Sequence, residues 1–284
     1  MNKTPILFGS LLLIVAATAF AQNVPETNGK HYFPPQGWAK PGGGGGQNLV
    51  YHTGGTVIRN AKVVMIFWGP SFASGGADSA YASTLQGFRN QFGTTPEYNV
   101  ITQYYGQDGL TYGNIAQSSL GGGTGDWFDS STPPTNVTDA DVQAEVLRYL
   151  SLHLFDDSTI YEVFIPSSSY SSDGSSTSCG GPNLAYCAYH GYFANAIKYS
   201  IEPYPSCSGC SVSSSWTAAQ NQEHFVCHET REAVTDQQLN AWYDHRGYEA
   251  DDKCAWSPTP FFGTGGYGYQ YEWSNEARGC VKTR

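Results

Sequence analysis

The stretch AKVVMIFWGP constrains the fold more than any other part of the chain. Residues 61–68 form an almost continuous apolar run, and Gly69 and Pro70 end it. A strand with one wet face alternates polar and apolar residues. A run like this one predicts a strand buried on both faces, and a first strand is expected just before it, in NLVYHTGG. Residues 79–92 carry Tyr81, Leu85, Phe88 and Phe92 at three- and four-residue spacing, which is a helical stripe. Pro96 opens a short helix. Thr138 can cap a longer one over residues 139–155, with Asp139 and Asp141 well placed against the dipole of its first turn. Strands are expected at 159–166 and once more within 189–205, and a further helix spans 215–234. The order β-β-α-α-α-β-β-α predicts one mixed-sheet domain of α/β or α+β class over residues 48–284. The Ser/Gly-rich residues 167–182 should form an irregular loop. Residues 22–47, with Pro25, Pro34, Pro35, Pro41 and glycines at 42–46, should be a linker too poor in apolar mass to order itself.

The first residues bear on the compartment. Lys3 gives a basic start, residues 6–17 are almost all apolar, and Ala19-Phe20-Ala21 is a small-x-small cleavage signal. A secretory signal peptide is expected over residues 1–21, and with it an extracellular or periplasmic protein. The apolar run is too short to span a bilayer, and no later stretch approaches 18 apolar residues. Beyond residue 21 the chain has 13 basic against 24 acidic residues, a net charge of −11. That balance argues against a nucleic-acid partner and against anionic membrane surfaces. A peptide or an extracellular polymer is the expected substrate class. The 20 tyrosines and seven tryptophans suit either a core poor in leucine or a surface on which sugars stack. Asn136-Val-Thr138 fits a glycosylation sequon.

All seven cysteines lie in the second half of the chain. In an exported protein they are expected to be disulfides, and an odd count leaves one free. Cys227, inside a helical stretch, is the expected free thiol. The expected pairs are Cys179 with Cys187, Cys207 with Cys210, and Cys254 with Cys280. The Cys207-Ser-Gly-Cys210 spacing also matches half of a zinc ribbon, but no second Cys-x-x-Cys completes it. There is no Gly-x-Ser-x-Gly elbow and no phosphate-binding glycine fingerprint.

The chemistry concentrates in HETREAVTD, residues 228–236. On a helix His228 and Glu232 are i and i+4, one turn apart on one face, as two ligands of one metal must be. A zincin helix reads His-Glu-x-x-His, and here Glu232 replaces the second histidine. Glu229 takes the place of the general base. Glu249, 17 residues beyond Glu232, is the expected third ligand. Asp252 either orients His228 or is itself a ligand. His190 is an alternative third ligand. His224, one turn before His228, ranks lower, because one straight helix seldom brings three ligands to one ion. One histidine with two carboxylates is a harder ligand set than two histidines with one carboxylate. One divalent cation is therefore expected, zinc first, with manganese or calcium tolerated. The plainer alternative is an ordinary helical pair worth about 0.3–0.5 kcal/mol beside a solvated acidic turn at Glu249, Asp251 and Asp252. His52 reads as a turn histidine, His245 as exposed, and His31 and His153 have no evident partners.

VYHTGG followed by AKVVMIFWGP, then CGGPNLAYCAYHGYF, HETREAVTD and WYDHRGYEADDKC, resemble the phosphate-induced, EXORDIUM-like exported proteins of plants and microbes. His228, Glu229, Glu232, Thr235, Asp236, Glu249, Asp252 and Cys254 fill that family's motif positions, while Gln237 stands where proline is common. The likeness covers most of residues 48–256 in order and is dense only in the patches quoted. It implies an extracellular, wall-associated role and a zincin-like helix, without implying peptidase activity. Three functions are therefore expected to compete. The first is a secreted zincin-like hydrolase of peptide bonds, with Glu229 as base and His228, Glu232 and Glu249 as ligands. The others are a non-catalytic wall-associated binding or signalling protein, and a structural domain stapled by calcium.

Overall fold

The computed structural model describes residues 29–38, 47–121 and 125–284. The expected signal peptide and most of the expected linker lie outside the described residues. Six strands make the main sheet: β1 (Lys30–Phe33), β2 (Lys62–Trp68), β3 (Trp127–Asp129), β4 (Thr159–Ile165), β5 (Ala188–Phe193) and β6 (Ile197–Pro203). Their order is β1-β5-β6-β4-β2-β3. The last four are mutually parallel, while β5 runs antiparallel to both β1 and β6. Three helices cover the sheet: α1 (Ser79–Phe92), α2 (Asp139–Leu150) and α3 (Ala218–Thr235).

β2 is buried on both faces, as its apolar run predicts. Val63, Met65 and Phe67 join the core beneath α1 and α3, while Val64, Ile66 and Trp68 join a second core under α2. The domain is thus a mixed α/β layer structure. α1 coincides with the predicted helix, and all four stripe residues are buried, each aliphatic or aromatic side chain contributing about 1.5–3 kcal/mol. Thr138 caps α2 in a full capping box with Asp141. α2 ends at Leu150 rather than running to residue 155, because Leu152, Leu154 and Phe155 stay exposed and have no core to join. No helix among the described residues is long and apolar enough to cross a membrane.

Four expectations are corrected. The stretch 189–205 holds two strands, not one, because Ala194 and Asn195 both adopt positive φ and turn the chain back between β5 and β6. The 167–182 region is not irregular throughout. Tyr170–Asp173 pairs with Asn136–Thr138 and folds back on Ser176–Thr177 around Gly174, whose φ is +57°. Asn136 of the sequon is exposed on this small sheet. The expected linker contains β1, an edge strand that pairs residue by residue with β5. Its ordering is tertiary: Phe33 is fully buried, stacked on Trp256, and the Gln36 N–H donates to Gly209 O at 2.6 Å.

The disulfide pattern is the fourth correction. The bonds are Cys179–Cys207, Cys187–Cys210 and Cys254–Cys280. The third is the expected pair, and Cys227 is free and buried, as expected. The first two interlock instead of closing locally. Cys187 enters β5 with its sulfur 3.6 Å from Gly209 O, so the turn at Ser208–Cys210 is its neighbour, and Cys179 takes the other cysteine of that turn. With both Cys207 and Cys210 oxidised, the zinc-ribbon reading falls.

Candidate metal centre

α3 has few apolar residues, yet residues 221–235 are buried without a break. It begins at Ala218 rather than at residue 215, capped by Thr217 in a box with Gln220, and Asp236 ends it. Asn221, Gln222, Glu223, His224, His228, Glu229, Thr230, Arg231 and Glu232 are all buried polar groups, a density that a purely structural helix would avoid because each needs a partner. Arg231 finds two: it pairs with Asp251 and lies 2.7 Å from Glu272. Asp251 is therefore not solvated, and neither is its neighbour Glu249, so the solvated acidic turn is excluded.

The sheet supplies the other side of the site. His31 on β1 and His190 on β5 are paired directly, and the same row continues through Ser200 to Glu162. α3 lies over this row. Glu162 Oε1 accepts from Thr230 Oγ1 at 2.7 Å, and the rings of His31 and His190 are 5.9 Å apart. Period-two alternation within β1 and β5 turns both histidines toward α3.

Glu232 is the hub. Its Oε2 lies 3.1 Å from His228 Nε2, 3.4 Å from His31 Nδ1 and 3.6 Å from His190 Nδ1. Its Oε1 accepts the N–H of Asp252 at 2.9 Å, which docks the acidic turn on the helix. Asp252 Oδ2 accepts in turn from the Glu249 N–H at 3.2 Å. Three sets of ligand-type atoms close to within 4.8 Å of one another: His228 with Glu232 and Asp252, His31 with Glu232 and Glu249, and His190 with Glu229 and Glu232. The expected set of His228, Glu232 and Glu249 is thereby divided. Asp252 takes the third position beside His228, and Glu249 faces His31 at 3.1 Å instead.

Asp252 faces His228 Nε2, at 3.9 Å, and Gln270 is the side chain that meets the other ring nitrogen. His228 Nδ1 lies 3.3 Å from Gln270 Oε1, and Gln270 is anchored by donating to Asp251 O at 2.7 Å. An Nδ1–H held there leaves the Nε2 lone pair facing the cluster. His224 is excluded from the cluster. Both its nitrogens are buried without a hydrogen bond, and its ring is boxed by Phe33, Phe225 and Trp256. His52 stacks on Tyr243 at 3.6 Å, His153 on Tyr149, and His245 is exposed. His31 is the histidine that sequence reasoning missed. Nothing in Lys30-His31-Tyr32-Phe33, which does not alternate polar and apolar residues, marks it.

The electrostatics follow from burial against neighbouring charge. Burial disfavours a charged His31, but Asp252 and Glu249 outweigh it and raise its pKa well above the usual value. Glu232 is held well below the usual carboxylate range, because His228 and His31 overcome its burial. Burial, Glu202 and Glu232 push Glu229 up, burial pushes Glu249 up, and burial with Glu232 pushes Asp252 to about 7. Burial lowers His190 to about 3, so it is neutral at neutral pH. Its Nδ1 lies 3.0 Å from Glu229 Oε2. Several atoms aimed into the cluster lack an aligned hydrogen bond: His228 Nε2, His190 Nε2, Glu229 Oε1 and both oxygens of Glu249. His31, about 26% exposed in its side chain, is the most open member. Imidazole nitrogens and carboxylate oxygens that converge this closely, several of them without an aligned hydrogen bond, form a donor set that suits a divalent cation.

Comparison of the chain with protein-family models, curated proteins and solved structures gives no significant match.

Proposed function

We propose that the chain is a secreted, zincin-like, metal-dependent hydrolase of peptide bonds, with the cluster around Glu232 as its metal centre and Glu229 as its general base. The observation that carries this reading is the buried convergence of His228, Glu232 and Asp252, with the His190–Glu229 pair beside them. A bound divalent ion, zinc first, would supply Lewis-acid polarisation of a carbonyl and acidify water. The chain's own residues supply the rest. His190 holds Glu229 by Oε2, leaving Oε1 to accept a proton. Gln270 fixes the tautomer of His228. The EXORDIUM-like motifs support the exported setting, and the non-catalytic binding protein of that resemblance remains the alternative.

Glu229→Gln should lower turnover of a peptide library by about 10²–10⁴-fold while metal content stays the same, the span expected for removing a general base. Cleavage by the variant at the wild-type rate would refute the assignment. The burial of the cluster favours one rival, an ion that only staples β1 and the 249–252 turn to α3. That rival predicts no cleavage by either protein and a melting temperature that falls on chelation.

A further inference from the structure

Resting on the reading of this cluster as a metal centre, we propose that it is built for two divalent cations that share Glu232. The helix-side ion would take His228, Glu232 and Asp252, and the sheet-side ion His31, Glu232 and Glu249. Three observations carry this. A catalytic zinc takes three protein ligands, yet seven ligand-type side chains converge here: His31, His190, His228, Glu229, Glu232, Glu249 and Asp252. They fall into sets that each hold a different histidine, and Glu232 is the residue common to all of them. One ion on the helix side would leave His31 and Glu249 facing each other at 3.1 Å with both Glu249 oxygens buried and lacking an aligned donor.

Charge points the same way. Glu229, Glu232, Glu249 and Asp252, ionised together, carry four negative charges, and histidines that give their lone pairs to a metal offset none of them. One dication balances two of the four, and two dications balance all. The neighbouring cations are committed elsewhere, Arg231 to Asp251 and Glu272, and Lys253 to Asp244. Asp236, which ends α3, accepts the N–H of Ala241 at 2.6 Å and that of Asn240 through Oδ1, and its carboxyl also meets that of Glu249. The His190–Glu229 pair borders both sets, with 3.6 Å from His190 Nδ1 to Glu232 Oε2 and 3.5 Å from His190 Nε2 to Glu249 Oε2. That placement leaves it free for proton transfer rather than ligation.

The test uses the full chain, stripped with chelator, freed of chelator and loaded with Mn²⁺, with bound manganese counted and its paramagnetic resonance recorded. The inference expects two Mn²⁺ per chain and the signal of a magnetically coupled pair. Glu249→Gln should reduce this to one uncoupled ion, and so should Asp252→Asn, each checked for folding by circular dichroism. One uncoupled Mn²⁺ in the wild-type chain overturns the second position and leaves the single-ion reading standing. Two uncoupled ions overturn the sharing of Glu232. No bound manganese, zinc or calcium overturns this inference and the metal-centre reading together.

Discussion

Glu232 places one carboxylate oxygen within 3.6 Å of three histidine nitrogens, and this one residue sets the character of the site. A histidine there would offer a single soft nitrogen. A carboxylate offers two hard oxygens, one for the cluster and one for the Asp252 N–H that docks the acidic turn. Asp252, Glu249 and Glu232 are legible in the sequence as an acidic group downstream of a His-Glu helix. His31 and Gln270 are not, because nothing local in KHYF or in GYGYQY marks a partner some 200 or 40 residues away. A residue far from the centre gives a separate test. Glu145 on α2 is buried against Asp129 and Arg148, and burial pushes its pKa up to about 8, with Arg148 opposing and Asp129 adding to the rise. In the unfolded chain it ionises near 4.5. Between these values the folded state holds a proton that the unfolded state has lost, so Glu145 costs stability increasingly as pH rises from about 4.5 to about 8. Glu145→Gln should therefore raise the melting temperature more at pH 8.5 than at pH 5, as calorimetry at the two pH values would show. An equal shift at both would refute the buried-acid account.

Among the elements, β1 is the one the site depends on most. Its approach to β5 needs Gly191, where an added Cβ would lie 2.5 Å from Gly29 O. Gly191→Ala must push the edge strand outward, at an overpacking cost of about 1–3 kcal/mol. His31, one residue from the contact, should move with it. Expected is a drop in metal affinity of at least tenfold in titration calorimetry, and unchanged affinity would separate β1 from the site. The covalent clamps act on the same elements. Cys187–Cys210 pins the turn that receives Gln36, just beyond β1, and Cys254–Cys280 pins the segment carrying Glu249 and Asp252. A disulfide spanning 26 residues restricts the unfolded chain by a few kcal/mol, on the order of 3. Cys254→Ser/Cys280→Ser should weaken metal binding and lower the melting temperature, and chelated and loaded samples should then differ less in stability. Binding as tight as in the parent would show that the clamp does not serve the site. β2, with its continuous apolar run, and α1, with its helical stripe, are legible because each is fixed by its own residues. β1 is not, since its four residues are ordered by tertiary contacts: the β5 edge, the aromatic cluster at Phe33, and Lys30 against Asp139 and Asp173.

Across the whole molecule, the sheet and α3 press polar residues together where a mixed α/β domain would ordinarily bury apolar ones. The row His31–His190–Ser200–Glu162 crosses four strands beneath a helix that brings His228, Glu229 and Glu232 down onto it. The layer architecture could be read from alternating strand and helix patterns. The meeting of residues 31, 190, 228–232 and 249–252 at one point could not, because strand order and register are set by long-range pairing rather than by local sequence. Such a concentration of buried acid and imidazole is costly unless something cationic compensates it. We propose that a divalent metal does so, and the metal content of the protein purified without chelator tests this most directly. Elemental mass spectrometry should find at least one equivalent of a divalent metal per chain, reduced at least tenfold in a folded Glu232→Ala variant. Less than a tenth of an equivalent in the wild-type protein, with none regained on adding zinc, manganese or calcium, would contradict the account.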